Sequence, residues 1–170
     1  MKMKKLFFLY FLFAVIVLLP GQTAEKLEEL LNTPAVSYEQ AAWLILEAAD
    51  VWDLSGTGAP GFREAFNAAA ERRWLPGNAG SGDNARLDGI SLLFMESFGL
   101  KGGLFYKIFR NPHYAYRELV YQEIIPGRID PAMAVSGDML VYMTGRVLSE
   151  LENTGWSPVH SIRPKNQGNP

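Results

Sequence analysis

The sequence contains no cysteine and only two histidines, His113 and His160. Without thiols no disulfide can staple the fold, so packing alone must hold it. The same absence excludes a lipid anchor on an N-terminal cysteine. Two distant imidazoles and no thiolate are poor material for a zinc or other soft-metal site. An excess of positive charge is also missing. The 16 basic and 18 acidic residues leave a net charge of −2, and losing the three N-terminal lysines makes the rest more acidic still, a poor general binder of phosphate backbones. No nucleophile elbow and no pairing of a serine or histidine nucleophile with a base is visible. The longest apolar run, Leu6 to Leu19, has fourteen residues, short of the ~20 that a membrane span needs.

What is present starts with export. Lys2, Lys4 and Lys5 precede that apolar run, Pro20 and Gly21 break it, and Gln22-Thr23-Ala24 follows. A basic start, a short apolar stretch and a helix breaker are the parts of a secretory signal peptide. Residues 1–24 are therefore expected to be a leader cut after Ala24, with a cut after Gly21, or no cut, as alternatives. Removing them leaves 146 residues with 13 basic and 18 acidic groups, a net charge of −5. That length suits one domain with its own core.

The remaining chain reads as helices separated by proline and glycine. Glu25 to Asn32 is amphipathic and stops at Thr33-Pro34, because the residue before proline avoids the helical region. Ser37 with Gln40 forms a capping-box pattern at the head of a helix running to about Val51. A glycine-rich loop, Ser55 to Gly61, leads to an alanine-rich helix over Phe62–Trp74, stopped by Leu75-Pro76-Gly77. Arg86 to Phe98 is strongly apolar and closes on Gly99, a natural cap. Its Ile90, Leu93, Phe94 and Phe98 follow helical spacing and are predicted core. Leu100 to Pro112 reads as irregular. Tyr114 to Ile125 and Ser136 to Glu152 are the last helices. Residues 153–170, rich in proline, are expected to be disordered. The fold class is all-α.

An internal repeat runs through this pattern. Leu75-Pro76-Gly77 and Ile125-Pro126-Gly127 lie fifty residues apart, and the helix starts at Ser37, Arg86 and Ser136 lie forty-nine and fifty apart. Each start carries a carboxylate two residues on, Glu39, Asp88 or Asp138, where the positive helix end favours it. One helix-loop-helix unit cannot bury its own apolar faces, so such units should pack on one another.

Val36-Ser37-Tyr38-Glu39-Gln40-Ala41-Ala42, with the stretches Phe62 to Leu100 and Tyr114 to Leu148, resembles the S-layer homology (SLH) repeat. The resemblance covers about two thirds of the chain. It implies tandem helical pseudo-repeats of about 50 residues over 25–152. It also implies attachment to a cell-wall-linked polysaccharide. The family's arginine near the helix start would fall on Tyr38, Leu87 and Gly137, with Arg86 one position early.

Several patterns invite sharper chemistry. Gly56-x-Gly58-x-x-Gly61 spells a dinucleotide fingerprint, but that motif needs a preceding strand and a helix precedes it here, so it reads as a plain loop. Asn78, Ser81 and Asp83 offer oxygens to a cation without the spacing of a calcium loop, and read as a polar connector. Glu39, Asp88 and Asp138 recur at one structural position, which suits helix capping better than acid–base catalysis. The richest polar–aromatic clusters are Arg72-Arg73-Trp74 and Tyr116-Arg117. Arginines fork onto carboxylates and phosphates, and arginine and tyrosine are enriched at hot spots. These five are the predicted partner-binding residues. Leu104 to Phe109 is either an exposed apolar partner site or a buried strand-like connector, with the connector preferred.

The sequence thus predicts an exported, non-enzymatic module of the periplasm or cell surface, without cofactor or metal. It would bind an envelope protein or a cell-wall glycan and no nucleic acid. It would touch membrane only through its N-terminal segment if uncleaved. The alternative is a structural or assembly subunit of a periplasmic complex, held by that segment.

Overall fold

The structure, a computed structural model, describes residues 21–51 and 61–153. The motif glycines Gly56 and Gly58, nearly all of the leader and nearly all of the C-terminal tail lie outside the described residues. The described part is all-helical: α1 (Gly21–Leu31), α2 (Tyr38–Ala48), α3 (Phe62–Glu71), α4 (Leu87–Ser97), α5 (Leu104–Ile108), α6 (Pro112–Tyr121) and α7 (Gly137–Asn153). No helix among the described residues is long and apolar enough to cross a membrane. Because α1 already begins at Gly21, a cut after Ala24 would remove its first four residues.

Helix starts follow local chemistry where a capping side chain exists. Ser37 and Gln40 form the reciprocal box, with Ser37 N donating to Gln40 Oε1 at 2.9 Å and Gln40 N to Ser37 Oγ at 3.3 Å. Two expected boundaries move. The helix expected from Tyr114 begins at Pro112, because the Asn111 side chain accepts from Tyr114 N and proline is preorganised for the first helical position. The region expected to be irregular contains the short helix α5.

Helix ends share one device. Val51, Trp74, Leu100 and Ile124 donate their N–H groups to the carbonyls of Leu46, Ala69, Met95 and Leu119. Before each of these donors stands a residue with positive φ: Asp50, Arg73, Gly99 and Glu123. This is the Schellman closure. Only one of the four is glycine, so the motif was legible at Gly99 and hidden at the other three.

The helix starts meet one another. Val36 N donates to Val135 O (2.8 Å), Val135 N to Ala85 O (3.0 Å), and Ala85 N to Val36 O (2.8 Å), closing a ring. A second set lies beside it: Tyr38 N to Asp83 O (3.1 Å), Leu87 N to Met133 O (3.0 Å) and Gly137 N to Thr33 O (2.9 Å). Helix N-termini leave their first N–H groups without intrahelical partners. Here the chain segment before the next helix start supplies the acceptors, which ties α2, α4 and α7 into one frame.

Spatial partners differ from sequence order. The α3 helix packs on α2, α6 on α4, and α1 on α7, while α2 also touches α4 and α7. A unit read along the chain as α3 then α4, from Phe62 to Leu100, is therefore not the main packing pair. The pairing of α1 with α7 joins the two ends of the described chain. Between α2 and α6, α4 is buried on every side from Gly89 through Met95. Ile90, Leu93, Phe94 and Phe98 are fully buried as predicted, with the Phe94 and Phe98 rings stacked at 6.0 Å.

Candidate functional site

The frame of helix starts leaves a recess of about 240 Å³ on its outer side. It is lined by the start of α2 (Tyr38), the loop from Pro76 to Asn84, the start of α4 (Arg86, Asp88) and Pro112 of α6. Its geometry follows from the ring. The bridge between Ser37 and Asn84 and the one between Arg86 and Ala134 fix the two walls. The Tyr38 phenol oxygen accepts from Arg86 N at 3.4 Å. Gly89 makes room for it, since a Cβ there would collide with the Tyr38 phenol and reach Pro76 Cγ at 3.0 Å. Glycine inside a helix costs about 1 kcal/mol relative to alanine, and seating Tyr38 is the structural return.

Arg86 and Asp88 form the charged part of the recess. Arg86 Nε donates to Asp88 Oδ1 at 3.2 Å and Nη2 to Oδ2 at 2.8 Å. The arginine side chain remains 54% exposed. Its guanidinium is held above its ordinary range, first by the hydrogen bond to Asp88 and then by that carboxylate's charge. Two of its five N–H donors are used, so three remain for an incoming oxygen. Burial pushes the Tyr38 phenol up, partly offset by the Arg86 N–H, so it stays a neutral donor. Asp83 is occupied by Gly80 N at 2.8 Å. The recess can thus present a neutral phenol, an oriented guanidinium and the Asn78 and Asn84 amides to a hydroxyl-rich or anionic group.

The equivalent helix-start carboxylates do local work. Asp138 is held below the usual carboxylate range, chiefly by the Ser136 hydroxyl and then by Met139 N–H. Asp88 accepts from Gly89 N at 2.8 Å. Glu39 faces Arg63 at 3.6 Å. Among the described residues no cluster of three or more acidic or imidazole side chains is placed to hold a metal ion.

The five residues expected to bind a partner lie elsewhere, and none lines the recess. Arg72 and Trp74 are brought together, the guanidinium 5.4 Å from the ring centre, with Arg72 Nη1 also donating to Ala68 O at 2.7 Å. Tyr116 donates its hydroxyl to Ile129 O, which ties α6 to the loop before α7. Arg73 and Arg117 are exposed. Arg72, Trp74 and Tyr116 therefore have structural partners, and Arg73 and Arg117 are the members open to solvent. The first cluster follows α3 and the second sits on α6.

Sequence reading missed the recess because Tyr38, the stretch from Pro76 to Asp88, and Pro112 come together only in the fold. The fifty-residue spacing of the helix starts was the available signal, since those starts are what meet at the recess.

A separate feature is the anchor of α5. Tyr106 is its one buried side chain, and its hydroxyl donates to Glu96 Oε1 at 2.6 Å. Burial, then that hydrogen bond and the Glu96 charge, push the phenol far above its ordinary ~10. The fold holds the neutral phenol, so its contribution is complete below about pH 10 and lost as pH rises beyond that. The melting temperature is expected to hold steady to about pH 9.5 and fall above it. Tyr106→Phe should lower stability at pH 8 by about 1–2 kcal/mol and flatten the alkaline fall. An unchanged alkaline slope in thermal melts would refute the assignment.

Comparison with protein families, characterised proteins and solved structures gives no match to this chain.

Proposed function

We propose that the chain is an exported, non-enzymatic envelope module of three SLH-like pseudo-repeats that attaches to a cell-wall glycan through the recess at Tyr38, Asn84 and Arg86. One observation carries the reading: the three helix starts, forty-nine and fifty residues apart, exchange hydrogen bonds in a closed ring, and a polar recess opens beside it. A guanidinium fixed by one carboxylate with donors to spare suits sugar hydroxyls and anionic substituents. The basic, apolar and proline–glycine order of the N-terminal sequence supports placement in the periplasm or at the cell surface.

A second reading rests on Arg73 and Arg117. Both are exposed arginines beside the half-buried aromatics Trp74 and Tyr116, a composition that suits docking to an envelope protein. The uncleaved leader would then hold an assembly subunit at the membrane, which an intact-mass measurement of the exported protein decides.

One experiment separates the two. Arg86→Ala is expected to weaken co-sedimentation with isolated cell-wall sacculi at least tenfold. It should shift the melting temperature little, because the Arg86–Asp88 pair is exposed and screened by solvent. Arg72, Arg73 and Arg117 changed together to alanine should leave sacculus binding intact. Loss of binding in the triple variant with none in Arg86→Ala would move the site to the second surface.

A further inference from the structure

We propose that the α5 corner is a membrane-contact site, built to rest on an anionic lipid surface. The claim is independent of the recess. It starts from exposure that the sequence left open, because Leu104 to Phe109 is not the buried connector expected. Leu104, Phe105, Ile108 and Phe109 are 69%, 58%, 60% and 51% exposed. Burying apolar side chains is favourable, so four of them more than half exposed on one short helix and its cap require a reason.

The patch is also held in shape. Tyr106 alone turns inward, tied to Glu96. The Tyr114 ring stands between Phe105 and Phe109, at 5.8 and 5.7 Å from their centres and within 10° and 25° of their planes. Gly102 lets the chain approach the Tyr106 ring, since a Cβ there would lie 2.9 Å from its Cγ. The anchor thus fixes one face of α5 to the body and leaves the other to the surroundings.

Charge identifies the occupant. Between Glu96 and Glu118 there is no acidic residue, while Lys101, Lys107, Arg110 and Arg117 are basic, in a chain whose net charge is −2. Glu118 itself lies beside Gly103, 2.9 Å from where a Cβ would stand, so the corner carries four cations against two carboxylates. Arg110 is partly committed to Glu96 at 3.4 Å. Lys101 and Lys107 are exposed. Leucine, isoleucine and phenylalanine rimmed by lysine and arginine form the composition of a segment lying in the headgroup region, with apolar tips in the acyl boundary and cations among phosphates. A second copy fits less well. A symmetric contact would set the same basic rim against itself.

The absence of cysteine makes the test direct. Leu104→Cys in the full chain carries an environment-sensitive fluorophore, and Tyr142→Cys on α7, another exposed position, serves as the control. The probes are vesicles of phosphatidylglycerol with phosphatidylethanolamine, and vesicles of phosphatidylcholine. The label at 104 is expected to shift to the blue with the anionic vesicles and to be quenched by brominated acyl chains, while the label at 142 stays unchanged. Lys101→Gln and Lys107→Gln should each weaken the response roughly fivefold, with the fold checked by circular dichroism. A silent label at 104, or equal shifts at 104 and 142, overturns the proposal. So does a shift without vesicles that grows with protein concentration, which would name a second copy. Lysine variants that bind as tightly as the parent would overturn the anionic-lipid assignment.

Discussion

Gly137→Ala is expected to lower stability by about 3 kcal/mol or more and the melting temperature by about 10 °C or more. The residue opens α7 where α7 meets the end of α1. A Cβ on Gly137 would run into the Leu30 carbonyl oxygen and stand 2.6 Å from the Leu30 carbonyl carbon and 3.2 Å from Leu31 N. These are backbone atoms, so no rotamer change relieves the overlap, and α1 or α7 must move. Movement would disturb the bond from Gly137 N to Thr33 O at 2.9 Å and the neighbouring bond from Val36 N to Val135 O. It would also uncover Leu30, which is fully buried. The effect belongs to the contact and not to backbone strain, since Gly137 is not among the positive-φ residues. Thermal unfolding, with limited proteolysis near Thr33 as a second readout, checks it. A melting temperature within about 2 °C of the parent would show that α1 does not pack on α7 this closely.

Phe94→Ala is expected to cost about 3–5 kcal/mol, a fall of roughly 10–20 °C in melting temperature. Phe94 is fully buried in α4, the helix flanked by α2 and α6, and stacks on Phe98. Truncation would leave a cavity that rigid neighbours on both sides fill poorly. Phe94→Leu, which keeps most of the volume, should cost about 1–2 kcal/mol. Denaturant titration of the three proteins gives the order directly. Equal stability of Phe94→Ala and Phe94→Leu would place this ring at the margin of the core.

Much of the local structure was legible because local chemistry decides it. The Ser37 and Gln40 box needs only its own four residues, and the apolar spacing of Ile90, Leu93 and Phe94 reports the buried stripe of α4. Other features were hidden because their cause lies elsewhere in the chain. Asp50, Arg73 and Glu123 take the left-handed conformation that glycine would advertise. Arg86 heads α4 without a capping bond from its side chain, because Leu87 and Asp88 find acceptors on Met133 and Pro131. The stop of α6 at Tyr121, earlier than Ile125, follows from the turn at Glu123, whose positive φ no residue type signalled.

The candidate sites divide in the same way. Arg72, Arg73, Trp74, Tyr116 and Arg117 stand out by composition, yet composition cannot show that Arg72 lies on Trp74 or that Tyr116 holds the carbonyl of Ile129. Leu104 to Phe109 is an apolar run whose exposure periodicity leaves undecided. A five-residue helix has one inward position, and the packing of Tyr106 against Glu96 selects it. The sequence by itself determined that the described part is helical and that the chain is free of disulfides, and it showed helix starts spaced forty-nine and fifty residues apart, because hydrophobic period, proline–glycine stops and residue counts are local properties. Only the tertiary structure decided which helices pair, where the recess opens and which apolar side chains stay in water. The frame depends on backbone donors and acceptors meeting across roughly fifty to a hundred residues, and the exposed face of α5 on a side-chain contact between two helices.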